Sequence, residues 1–376
     1  MNAIRSSSED YSELTNANRI EAIQRKLQMS GLDGFVHYQT GRAKENVTIP
    51  YLTGVRGLED SGVIIPASSE PVLLVKDFEE SRAKRQSSLA DVRGVTTLPI
   101  ERAIASIGEV FKEKGLAGKR IGIDESELTV EVYNKLLSLG VSIVPFATEL
   151  ISMRMVKTAA EVKRIREAAA IAGAAIEKVR SLVPEGLEER ELAAEASNLM
   201  QRSGEASFVS VQFGPNASFP HHRGDSTRVR GDGLLVVDLG ANVEGYNSDI
   251  TRTLYVGSPS ERHRNIPDVI KLAVSDAIEK VRPGVPVKEV ALAARRVIQN
   301  SGLPQPRHRI GHGIGLNVHE KPIVEEGFEY VLQAGNVIAI EPGTYLDGDT
   351  GSRIEVDLLV TESGAELLDP KSLPLL

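Results

Sequence analysis

The chain of 376 residues is longer than one ordinary hydrophobic core supports, so two domains are expected. A net charge of −8, 4% aromatic residues and no tryptophan argue against a nucleic-acid surface, and the lack of cysteine excludes disulfides, thiolate metal sites and cysteine nucleophiles. No apolar run approaches the ~18 residues of a membrane span. The polar N-terminus lacks the apolar stretch and cleavage site of a signal peptide, so a cytoplasmic enzyme is the expectation.

Residues 1–14 are polar and expected to fray. Residues 17–30 have helical periodicity and stop before Gly31. DGFVHY, SGVIIP and EPVLLVKD read as strands, and residues 77–86 and 101–115 as helices. Next come a strand at 120–124, a helix at 129–139 and a strand at 141–145. This alternation predicts an α/β domain with a mixed sheet, and no phosphate-binding glycine loop occurs in it. His37, inside a strand, is expected to be structural. The pattern changes near MRMVKT, and an alanine-rich amphipathic helix at 159–182 opens the second half of the chain. The boundary is placed so that residues 1–153 form the first domain and 154–376 the second.

The second half repeats itself. AIEKVR at 175–180 recurs at 277–282, and a glycine turn and a second helix come after each copy. Gly186 and Ser203-Gly204 in the first copy match Gly284 and Ser301-Gly302 in the second. Each copy then reaches a hairpin, LLVVDLGA in one and NVIAIEPG in the other. Two α-α-β-β halves about a pseudo-twofold axis are expected, with Asp238 matching Glu341 and Asp249 matching Glu355.

A turn centred on Val243-Glu244 would set Asp238 directly opposite Asp249, with Cβ atoms ~5 Å apart. Two carboxylates that close, half buried, either share a proton or hold a cation between them. Glu341 and Glu355 can face each other in the same way across the loop YLDGDTGS. With His312 of GHGIG, four acids and one imidazole can hold two divalent ions ~3.5–4 Å apart and activate water for hydrolysis. The mixed donor set suits Mn, Co, Fe or Zn. Taken singly, each residue has a plainer reading. A strand aspartate often faces solvent, His312 alone would be structural, His221-His222 could be an exposed loop pair, and Arg353 could simply pair with Glu355. The shared order of repeat, helix, glycine and acid pair weighs against those readings.

GYNSDITRT, GHGIGLNVHEKP, AIEPGTY and GSRIEVD resemble the signature segments of the pita-bread metallopeptidases. That group includes methionine aminopeptidase, aminopeptidase P, prolidase and the metal-free creatinase. The resemblance is specific after residue 154 and loose before it. It implies a creatinase-like α/β domain followed by a pita-bread domain. It assigns Asp238 to one metal, His312 and Glu341 to the other, and Asp249 and Glu355 to both. Glu341 would also move the proton, His221 and His319 would bind the substrate carbonyl and the oxyanion, and Arg353 would orient carboxylates. His222 receives no role. The implied function is hydrolysis of the Xaa-Pro bond of a small peptide by a metal-bridging hydroxide, with manganese the first choice of ion, in a homodimer. A dipeptidase is the first reading, an Xaa-Pro aminopeptidase on longer peptides the second, and a metal-free hydrolase or binding module the third.

Overall fold

The computed structural model describes residues 16–41 and 47–369, and the N-terminal segment expected to fray lies outside them. The chain divides into two compact units, residues 1–154 and 155–376.

The first unit runs α1 (Asn16–Met29), β1 (Gly34–Gln39), α2 (Thr48–Thr53), β2 (Ser61–Pro66), β3 (Val72–Lys76), α3 (Glu80–Gln86) and β4 (Asp91–Val95). It continues through α4 (Ile100–Glu113), β5 (Arg120–Ile123), α5 (Val130–Leu137), β6 (Ser142–Pro145) and α6 (Ala147–Met155). Its six strands lie in the order β4-β3-β2-β1-β5-β6. The β1–β2 and β2–β3 pairs are antiparallel and the others parallel, so the sheet is mixed. Helix α4 shows why the unit closes: Ala103, Ile104, Ile107, Val110 and Phe111 recur at helical spacing and are all buried. They pack with Ile64, Leu74 and Ile121 of the sheet. Elements α2, β4 and α6 have no clear signal in the sequence pattern. In β4 (DVRGV) two charges and a glycine hide the strand, which the parallel ladder to β3 nevertheless forms.

The second unit opens with α7 (Ala159–Leu182), where Thr158 and Glu161 form a reciprocal capping box. Then come α8 (Glu189–Ser203), β7 (Glu205–Phe213), β8 (Gly233–Val243), β9 (Tyr246–Asn247) and β10 (Ile250–Val256). The second copy is α9 (Glu261–Lys280), α10 (Val287–Ser301), β11 (Gly311–Gly313), β12 (Glu320–Val324) and β13 (Val337–Ile340). It ends in β14 (Gly343–Leu346), β15 (Thr350–Arg353), β16 (Val356–Val360) and β17 (Ala365–Leu367). One core packs α7 and α8 on the β10-β8-β7 sheet, and the other packs α9 and α10 on the β12-β11-β13-β16-β17 sheet.

The two copies correspond in register. A bridge joins Glu188 to Arg228, ten residues before Asp238, and another joins Pro286 to Val331, ten before Glu341. Gln212 pairs with Val236, two before Asp238, and His312 pairs with Ala339, two before Glu341.

One expectation fails. The first hairpin turns at Glu244-Gly245, both at positive φ (49° and 95°), as a two-residue turn of the primed type requires. Asp238 therefore pairs with Thr251, not with Asp249. The slip is two residues, so Asp249 keeps the same face and sits diagonally from Asp238. In the second hairpin one register runs from Val337↔Leu359 to Gly343↔Arg353, which places Glu341 opposite Glu355. By position the mate of Glu355 is thus Thr251, not Asp249. Beyond this ladder the β14–β15 arm reaches the first copy, where Gly351 lies directly against the carbonyl of Ala217.

Candidate metal centre

Asp238 projects from the middle of β8, Asp249 from the run into β10, and His312 from β11. Glu341 and Glu355 flank the break between the two parts of the second hairpin. All five come together. Ligand atoms of Asp238, Asp249 and Glu355 lie within 4.8 Å of one another, and so do those of His312, Glu341 and Glu355. His312 Nε2 is 3.6 Å from Asp249 Oδ2, 3.6 Å from Glu341 Oε1 and 3.5 Å from Glu355 Oε1.

The donor set suits a cation. His312 Nδ1 is 3.0 Å from the Gly313 carbonyl, so the Nδ1–H donates there and Nε2 is the atom that faces the acids, free to ligate a cation once its proton is displaced. His312 Nε2, Asp249 Oδ1 and Glu355 Oε1 are buried without hydrogen-bond partners. Four carboxylates and one imidazole whose ligand atoms converge fit divalent ions better than any apolar or neutral ligand.

The charges show the same need. Burial and then the neighbouring charge of Glu355 push Asp249 well above the usual carboxylate range. The same causes raise Glu341 to about 8. Burial also raises Asp238, against the pull of Arg353. Burial would lift Glu355 too, but His312, Arg353 and Thr251 hold it down to about 2. Burial disfavours a proton on His312, yet Glu355 and Glu341 raise it to about 9. Protons and Arg353 thus share the cationic role here.

Surrounding groups fix the ligands. Arg353 Nη2 donates to Asp238 Oδ2 at 2.5 Å, and its Nη1 donates to Tyr345 Oη at 2.8 Å. The carboxylate that Arg353 orients is thus that of Asp238. Thr251 Oγ1 is 2.9 Å from both Asp238 Oδ1 and Glu355 Oε2, and its one proton serves one of them at a time. Buried Arg252 donates to the carbonyls of Thr251 and Glu355, joining the two copies. Asp357 accepts the backbone N–H of Asp249.

His319 lies beside the cluster, its ring 4.1 Å from that of His312 and its Nε2 3.7 Å from Asp249 Oδ2. His221 is exposed, and its charge bears on His308 and His319. Sequence reasoning missed His308 and Tyr345. His308 Nε2 is 2.8 Å from Tyr345 Oη, and burial lowers its pKa to about 4, so it is neutral near pH 7. A second histidine four residues before His312 was the available signal. His222 points away from the cluster to Glu189 and Asp225, 3.5 Å from each. In the first unit, buried His37 forms a separate group with Asp124 and Glu127.

A duplicated helix-and-sheet unit with acid-rich hairpins meeting one imidazole defines a hydrolase of the metallopeptidase class. Residues 163–362 match metallopeptidase family M24 and residues 19–156 match the creatinase/prolidase N-terminal domain, and the chain belongs to that metallopeptidase family. It is 34% identical over 339 residues to an Xaa-Pro dipeptidase of Pyrococcus furiosus, covering 86% of this chain and 90% of the relative. Its fold resembles an Xaa-Pro dipeptidase from Bacillus anthracis, with TM-score 0.86 and 27% identity over 95% of this chain and 98% of the other. It also resembles an X-Pro aminopeptidase from Thermotoga maritima, with TM-score 0.82 and 26% identity over 92% and 97%.

Proposed function

We propose that this enzyme hydrolyses Xaa-Pro dipeptides with two divalent ions held by Asp238, Asp249, His312, Glu341 and Glu355. The observation that carries the reading is the convergence of buried ligand atoms of Asp249, His312 and Glu355 that have no hydrogen-bond partner. The relatives named Xaa-Pro dipeptidase support the substrate. In this reading Asp238, His312 and Glu341 would each hold one of the ions, and Asp249 and Glu355 lie between the two groups of ligands. Bound there, the ions would supply Lewis acidity and lower the pKa of water towards neutrality.

The protein's own groups do the rest. Glu341 has the most exposed side chain of the five, at 17%, and it exchanges protons with substrate. It accepts the proton of the attacking water and passes it to the proline nitrogen as the C–N bond breaks. His221 and His319 hydrogen-bond the scissile carbonyl and the oxyanion that develops from it. Arg353, anchored by Tyr345, holds the Asp238 carboxylate in place. An X-Pro bond has no N–H to grip, so recognition through the carbonyl suits it.

The mixed oxygen and nitrogen donor set suits manganese, cobalt, iron or zinc, and manganese is the ion proposed. A cytoplasmic homodimer is part of the same proposal. The test is hydrolysis of Ala-Pro and of a longer Ala-Pro peptide after chelation, with and without added Mn²⁺ or Co²⁺. Metal-dependent cleavage of the dipeptide is expected. Cleavage of the longer peptide alone makes the enzyme an aminopeptidase, and hydrolysis that ignores metal overturns the proposal. Sedimentation of the same preparation checks the dimer.

A further inference from the structure

The buried carboxylate of Glu189 has no place in the reaction as described. It is fully buried at the first residue of α8. Its Oε1 accepts the Phe213 N–H at 2.6 Å and its Oε2 accepts the Asp225 N–H at 3.0 Å. Asn216 Nδ2 donates to both oxygens, at 3.1 and 3.0 Å. One carboxylate thus ties together both ends of the segment 213–225, which carries His221. Buried Gln212 holds its middle, donating to the carbonyls of His222 at 2.8 Å and Pro220 at 3.4 Å. Arg353 Nη1 lies 3.4 Å from the same Pro220 carbonyl, which links the segment to the Asp238 side of the cluster.

The duplication supplies an internal control. The residue equivalent to Glu189 is Val287: each is the first residue of its helix, and each donates its N–H across the equivalent bridge, to Thr227 and Tyr330 respectively. Val287 is fully buried in the second core. Folding of the helix pair onto its sheet therefore does not call for a carboxylate here. The residue equivalent to Gln212 is His312. The two histidine-bearing segments also correspond, because His221 comes after β7 and His319 after β11. The second segment runs directly into β12, which the β11 ladder fixes. The first contains a short 3-10 turn and no strand before β8. It needs other anchors, and Glu189 and Gln212 provide them.

We propose that Glu189, assisted by Gln212, is a positioning residue that holds His221 over the metal centre, doing for the first copy what β12 does for His319. This rests on the reading of His221 as a substrate-binding group. The test compares Glu189→Gln, His221→Ala and the double variant of the full-length, metal-loaded enzyme. Readouts are kcat and KM on Ala-Pro, metal content, and amide hydrogen exchange across 213–225. His221→Ala should lower kcat by at least tenfold with metal retained. Glu189→Gln should lower kcat in the same direction, retain metal and speed exchange in 213–225 alone. The double variant should match His221→Ala within about twofold, because the two residues act through one group. Normal kcat or unchanged exchange in Glu189→Gln, or effects that multiply in the double variant, overturns the inference. Full turnover in His221→Ala overturns the reading of His221 itself, and with it the positioning role. Faster exchange in Glu189→Gln would then show that Glu189 anchors the segment for some other purpose.

Discussion

The two copies in the second unit share a scaffold and differ where it meets chemistry. At one position the first copy has Gln212, which holds a loop, and the second has His312, which faces the acids. At another, Thr251 of the first copy shares its hydroxyl between two carboxylates, while the second copy places Glu355 there. At a third, Glu189 stands against Val287. The lesson is division of labour. The second copy contributes the imidazole and a directly opposed acid pair. The first contributes a diagonal acid pair and a loop that must be tied down by side chains.

The comparison breaks most sharply at His312. Giving the second copy the first copy's residue, His312→Gln, should release metal and lower turnover by more than the roughly 100-fold that loss of an outer partner costs. Elemental analysis and Ala-Pro hydrolysis check it, and retained metal with retained turnover would remove His312 from the ligand set. Thr251→Val deletes the hydroxyl between Asp238 and Glu355. Metal affinity should weaken by ~10–100-fold, measured by competition with a chelator, while turnover at saturating metal changes little.

Val287→Glu puts the first copy's acid where no donors await it. Burying that group should cost roughly 2–4 kcal/mol in urea unfolding. An unchanged midpoint would mean that the second copy tolerates a carboxyl as readily as the first.

The smallest effect is on pH. Glu341, raised to about 8, keeps its proton in the folded, metal-free protein after the unfolded chain has lost it. Its contribution to stability is full below about pH 4.5 and is lost as pH rises to about 8. His312, raised to about 9, contributes fully below about pH 6.5, and that contribution is lost by about pH 9. The chelated protein should therefore melt a few degrees lower at pH 9 than at pH 6. Added metal should largely remove the difference, and a metal-free Tm that rises over that interval would contradict the assignment.

The helix pairs and the acids are legible because each depends on local pattern: apolar spacing for α7, a repeated AIEKVR, and acids in strands otherwise apolar or β-branched. The hairpin register escapes such a reading because it depends on which two residues make the turn. NVEGYN offers that signal, since Glu-Gly suits two successive positive φ angles better than Val-Glu does. Because the slip is even, the face of Asp249 survives the error. Glu189 and Tyr345 are not legible, and for His308 the sequence offers only its spacing from His312. Their partners lie 24 to 37 residues away, and nothing in the neighbouring sequence marks a carboxylate that gathers Phe213 and Asp225 or a phenol that meets His308.

Gly351 carries a consequence of a different kind. A side chain there would meet first the Ala217 carbonyl and then the Tyr345 ring, neither of them a ligand. A scan of all substitutions would therefore mark residue 351 as intolerant, alongside the ligands, for a purely steric reason. Activity alone would not separate the two classes, whereas a lowered melting temperature of the chelated protein, expected of a Gly351 variant and not of a ligand variant, would. The arm's resting place on the first copy also means that the two copies can no longer be exchanged for one another, however closely their backbones repeat.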